Sequence, residues 1–131
     1  MADLYNVEVI RDSSILTDAF EICDIIDHEG YNCLYLDVEY AAGNAKGFQI
    51  KVETSTDGST YFLEQSRIGG IGITAYDDNV HEKLSLSDGS YRFFIPTVTK
   101  NIRVSVIGLT DSDFVGSLLK VTAVSALGIS I

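Results

Sequence analysis

The sequence contains no tryptophan, one proline, two cysteines and one methionine. Positive charge is scarce too: nine Lys and Arg stand against nineteen Asp and Glu, for a formal net charge of −10. Such a field opposes the counterion release that drives sequence-independent binding to DNA or RNA, so no nucleic-acid partner is expected. No apolar run approaches the roughly 18 to 20 residues of a membrane-spanning helix. The nearest, Val121 to Ile131, is interrupted by small polar residues, and no membrane partner is expected. The opening Met1-Ala2-Asp3-Leu4-Tyr5-Asn6 lacks the basic and apolar regions of a secretory signal, so a product made in the cytoplasm without secretion is expected. Cys23 and Cys33, ten residues apart, fit neither a metal knuckle nor a dense disulfide framework. Buried free thiols are expected; a disulfide would require their strands to be neighbours.

What is abundant is β-branched. Fourteen Ile, eleven Val and nine Thr occupy 34 of 131 positions, a composition suited to pleated, half-buried surfaces. At 14.3 kDa the chain has room for one hydrophobic core. Residues 33–40 alternate, with Leu34, Leu36, Val38 and Tyr40 on one face and Tyr35, Asp37 and Glu39 on the other. After Ala41 to Lys46 the pattern resumes with Phe48, Ile50, Val52 and Thr54 inward, so the two segments read as a hairpin. Asp57-Gly58 marks a tight turn before the strand starting at Tyr61, Phe62 and Leu63. Glycines crowd Ile68 to Ile73, which is given no regular structure. Val80 to Leu86 and Tyr91 to Ile95 face each other across Ser87-Asp88-Gly89-Ser90 as a second hairpin, and Pro96 marks a strand end or a sheet edge. Ile102 to Val106, Leu119 to Leu127 and Ala19 to Ile26 supply further strands.

These segments predict an antiparallel β-sandwich of about seven to nine short strands, jelly-roll or immunoglobulin-like. Residues 1–16 form an N-terminal arm that pairs with its own sheet or with a neighbour's, and 17–131 form the sandwich with an apolar C-terminal tail.

Chemistry is sparse. His28 and His81 have no second ligand at metal spacing and are expected in surface loops or on outward strand positions. Asp24 with Asp27, Asp77-Asp78, and Asp111 with Asp113 read as solvated loop acids, since no full calcium-ligand set surrounds them. Thirteen serines occur without a nucleophile elbow, so no catalytic residue, metal or cofactor is expected and the protein is not expected to be an enzyme. Among thirteen aromatics, Tyr31, Tyr35, Tyr61, Phe62 and Phe94 fall on positions able to face a ligand or a subunit.

The stretch Gly47 to Phe62, with its Ser-Thr-Asp-Gly-Ser turn, resembles phage-encoded β-sandwich proteins, as do Tyr91-Arg-Phe-Phe-Ile-Pro96 and Asn101-Ile-Arg-Val-Ser-Val106. Similar combinations occur in discoidin-like and other carbohydrate-binding sandwiches. The phage resemblance implies a virion structural protein of the head decoration, cement or auxiliary capsid type, with neck or tail components as the alternative. Its partners would be the major capsid protein and itself, as a symmetric homo-oligomer such as a trimer. Mean hydropathy of +0.17 with 46% hydrophobic residues also points to apolar surface buried between subunits. The candidate interface residues are Leu4, Tyr5, Val7 and Val9 in the arm and Leu127, Ile129 and Ile131 in the tail. Under the carbohydrate reading, a glycan would meet an exposed aromatic beside loop acids, at Tyr61, at Tyr76 with Asp77 and Asp78, or at Asp113 with Phe114.

Overall fold

Alternation becomes architecture in the strand from Cys33 to Ala41, where Leu34, Leu36, Val38 and Tyr40 are buried and the intervening side chains reach the surface. The computed structural model describes residues 4–63, 80–110 and 113–128. In chain order the strands are β1 (Tyr5–Ile15), β2 (Glu21–Ile22), β3 (Ile26–Asp27), β4 (Cys33–Ala41), β5 (Gly47–Ser55), β6 (Phe62–Leu63), β7 (Val80–Leu84), β8 (Gly89–Pro96), β9 (Asn101–Leu109) and β10 (Leu118–Ala126). They form two antiparallel sheets. The first runs β1-β10-β4-β8; the second runs β2-β9-β5-β6, with β3 also on β9 and β7 also on β5.

The pairing is nested. β1 lies on β10, β2 and β3 on β9, β4 on β8, and β5 on β6 and β7, as if the chain were folded once into a long ribbon and the ribbon then rolled. This order is that of a jelly roll, which resolves the choice left open by the sequence. Pro96 closes β8, which is also an edge strand of its sheet, so the missing N–H costs the ladder nothing. Residues 5–15 of the predicted arm lie along β10 as β1, with register shifts between Val9 and Arg11 and between Arg11 and Ser14.

Both predicted long-strand hairpins are corrected. β4 and β5 belong to different sheets, and so do β7 and β8, so each pair is joined by a connection that crosses from one sheet to the other. Alternation told which side chains point inward but not which sheet receives them. The turn at Asp57-Gly58 does bring β6 back onto β5: Gly58 takes φ +79, and Asp57 Oδ1 accepts from the N–H groups of Ser59 and Thr60.

Between the sheets the core is aliphatic at its centre, with Leu34, Leu36, Ile50, Val52, Val104 and Val121 all buried. At one end it turns aromatic: Phe48 lies 5.0 Å from the Tyr40 ring, 6.1 Å from Tyr91 and 6.3 Å from Phe93. Across one open side, the Cys23 N–H donates to Val104 of the second sheet and the Asp24 N–H to Ile10 of the first.

His28 departs from expectation. It is wholly buried, with Nε2 2.9 Å from the Thr97 carbonyl and Nδ1 2.9 Å from Ser125 Oγ. A carbonyl only accepts, so Nε2 carries the proton and Nδ1 accepts from the serine hydroxyl. The lack of a second ligand at metal spacing left it expected at the surface; its partners lie 69 and 97 residues away in the chain.

Candidate interface on the outer face of the first sheet

Residues directly opposite in an antiparallel ladder share a face, so the register reads out the surface row by row. One row crosses all four strands as Tyr5, Ala126, Cys33 and Pro96. The next is Val7, Val124, Tyr35 and Phe94. Val9, Thr122, Asp37 and Arg92 follow, and beyond them Lys120, Glu39 and Ser90 continue over three strands. The first two rows carry no charge. They make an apolar band from one edge of the sheet to the other, in which Tyr5, Val7 and Phe94 are 63%, 55% and 51% exposed.

The band has internal order. The Tyr35 and Phe94 rings lie 5.0 Å apart, and the Arg92 guanidinium sits 5.4 Å over Tyr35. Arg92 is itself held by Asp37, with Nη2 2.8 Å from Oδ2, and this hydrogen bond lowers the Asp37 carboxyl below its ordinary range. Lys120 and Glu39 pair at 3.6 Å in the following row. The polar rows border a shallow depression of about 420 Å³ lined by Asp37, Glu39, Ser90, Arg92 and Thr122. Salt bridges at such exposed positions orient side chains more than they stabilise the fold.

Of the predicted interface residues, Tyr5 and Val7 form one margin of the band, Val9 begins the charged row that follows, and the Leu127 N–H donates to the Leu4 carbonyl at 2.9 Å on the other side of the band. Ile129 and Ile131 lie outside the described residues. Tyr35 and Phe94, flagged only as outward aromatics, prove to be neighbours on β4 and the edge strand β8, at the margin of the band away from β1. Ala126, Val124, Cys33 and Pro96 were missed as surface residues. The alternation carried that signal, but strand order was needed to align them.

Of the predicted glycan-facing positions, Tyr61 is partly covered by Arg103, whose guanidinium lies 4.2 Å from the ring and pairs with Glu53 at 3.1 Å. Phe114 packs against the core, and its ring sits at Gly108 beside Leu16. Asp113 is exposed, and Tyr76, Asp77 and Asp78 lie outside the described residues. Among the described residues no group of three or more His, Cys, Asp or Glu is placed to hold a metal ion. Cys23 and Cys33 are free, the first buried and the second partly exposed.

No protein-family model matches the chain, and no curated protein matches it. Among solved structures the chain is similar to the SPBc2 prophage-derived protein YomS, with a TM-score of 0.50, 11% identity, and coverage of 92% of this chain and 91% of that one. A second similar structure, the infectious bursal disease virus VP2 subviral particle, has a TM-score of 0.49 and 12% identity over 95% of this chain and 33% of that one. The likeness to YomS is one of fold and extends over nearly the whole of both chains.

Proposed function

We propose that the protein is a structural subunit of a phage virion, acting as a capsid decoration or cement protein that self-associates and binds the major capsid lattice. The observation that carries the reading is the uncharged band crossing all four strands of the first sheet. An apolar surface of that continuity on a small domain is a place where another protein sits. The fold shared with a prophage-derived protein supports a phage setting, and jelly rolls serve both viral capsids and lectins. The net negative charge of the chain would keep a crowded shell soluble and would complement a basic patch on the capsid. No reaction is required of the protein, and its place would be the assembled particle.

The test is addition of the purified chain to phage heads that lack it, followed by alkylation of Cys33, which lies within the band. Co-sedimentation with heads and loss of Cys33 labelling on the heads are expected. A chain that stays in solution, or that binds while Cys33 labels at the free rate, would count against the band as the capsid contact.

A carbohydrate-binding module of a fibre or tail is the second reading. It is favoured by the Tyr35–Phe94 pair standing beside the depression lined by Asp37, Glu39, Ser90 and Arg92. Retention on a glycan array, abolished by Tyr35→Ala, would select this reading over the first.

A further inference from the structure

Hydrogen-bonded and non-bonded pairs alternate along an antiparallel ladder. The bond from the Leu127 N–H to the Leu4 carbonyl makes that pair a bonded one. Asn6 and Glu8 therefore turn their backbone groups toward β10, while Tyr5, Val7 and Val9 turn theirs to the open side. Among the described residues no strand pairs with that side. The open stretch ends where the Asp24 N–H meets the Ile10 carbonyl at 3.0 Å, and the first register shift begins after Val9. Natural edges are usually blunted by lysine, proline, a bulge or an inward charge; Tyr5 to Val9 has no lysine, proline or bulge, and its one charge is Glu8, opposite Ala123.

We propose that two copies of this chain pair through this edge, antiparallel about a two-fold axis at Val7. Val7 then faces Val7 of the partner subunit, and Tyr5 faces Val9 of the partner subunit, all on the outer face. The Val7, Val124, Tyr35 and Phe94 rows of the two copies then join into one uncharged row across an eight-stranded sheet. Glu8 falls opposite Asn6 of the partner subunit, so no like charges meet. The occupant is a second copy for two reasons: the segment is complementary to itself under the two-fold, and it is a stretch of a chain of net charge −10 that brings no two acids face to face. Glu8 is the one charged residue between Leu4 and Ile10. The inference rests on the self-association in the proposed function and not on the capsid, and it replaces the trimer by a two-fold pair.

The test is light scattering on the full chain over a concentration series, alongside Val7→Pro. Proline at this position removes an N–H that points away from β10, so it blocks the partner while leaving the β1–β10 ladder intact. A mass of twice 14.3 kDa for the parent and of one chain for Val7→Pro, which should still melt cooperatively as a folded chain, is the expected result. If Val7→Pro fails to fold, Val7→Cys in a Cys33→Ser background replaces it, since the two-fold brings this residue opposite itself within reach of a disulfide. Oxidation should then give a cross-linked pair, and an equivalent Glu29→Cys variant should not. A monomeric parent, a trimer, a dimer indifferent to Val7→Pro, or a Val7→Cys chain that forms no cross-link would each overturn the proposal. A dimer that ignores phage heads leaves this pairing standing and removes the virion role; a monomer that binds heads does the reverse.

Discussion

The imidazole of His28 and the hydroxyl of Ser125 lie 2.9 Å apart in the closed interior, joining the connection after β3 to the last strand of the opposite sheet. The backbone N–H of His28 donates at 2.6 Å to Lys100 at the foot of β9, and its Nε2–H donates to Thr97 after β8. One residue thus fastens both sheets at one end. Removing the ring leaves the Ser125 hydroxyl and the Thr97 carbonyl buried without it.

His28→Ala should therefore cost about 3 kcal/mol, combining lost hydrogen bonds with a cavity, as measured by denaturant unfolding. A change under about 1 kcal/mol would mean that water replaces the ring at no loss.

The same burial sets a pH dependence. Desolvation holds the His28 imidazole below its ordinary value of 6.5, against smaller opposing effects of the Thr97 hydrogen bond and the Asp27 charge. The unfolded chain then binds the proton more readily than the folded one, so stability is full above about pH 6.5 and declines as pH falls below it. The melting temperature should drop from about pH 7.5 to about pH 5.5 more steeply in the parent than in His28→Gln, which has no proton to gain. Parallel curves would refute the assignment.

The two thiols should behave differently. Burial raises the Cys23 thiol to about 11, while Cys33 lies on the outer face of β4 and is partly exposed. A thiol reagent at about pH 8 should modify Cys33 first and reach Cys23 only on unfolding. Equal rates would show that the segment between β2 and β3 opens readily.

Gly43 tests the connection that crosses between β4 and β5. Its φ is +53, and an added Cβ would run into the backbone of Val115, Gly116 and Ser117. Asn44 and Ser117 hold the two connections together, with the Val115 N–H donating to Asn44 Oδ1 at 2.7 Å and Ser117 Oγ donating to the Ala42 carbonyl at 2.7 Å. Gly43→Ala should cost more than about 2 kcal/mol by denaturant unfolding, whereas Gly30→Ala, with open space around it, should cost less. Equal costs would mean that the close approach at Gly43 relaxes freely.

The inward residues were legible because alternation is local: Leu34 to Tyr40, Phe48 to Thr54 and Leu119 to Ser125 read correctly from period alone. Sheet membership was not, since two inward-facing strands satisfy a hairpin and a cross-sheet connection equally. A signal did exist in Ala42 and Ala45, which are buried where a hairpin tip would be solvated. Asp88 misled in a similar way: its carboxylate accepts from the Ala42 N–H at 2.8 Å and braces the neighbouring connection rather than a turn of its own. The apolar band was half visible, as outward aromatics and apolar arm residues, and became a surface only once the strand order aligned them. His28 was hidden because nothing near it in sequence resembles its surroundings in space.

Nested pairing also governs how the chain comes into being on the ribosome. β1 is made early, yet its ladder partner β10 begins at Leu118, so Tyr5 to Ile15 must wait unpaired while most of the chain is synthesised. β5 and β6 close almost at once, and the roll then completes outward from that centre, each lane needing a more distant partner. β10, the latest in the chain of the described strands, is inserted between β1 and β4, so the first sheet cannot close before it emerges.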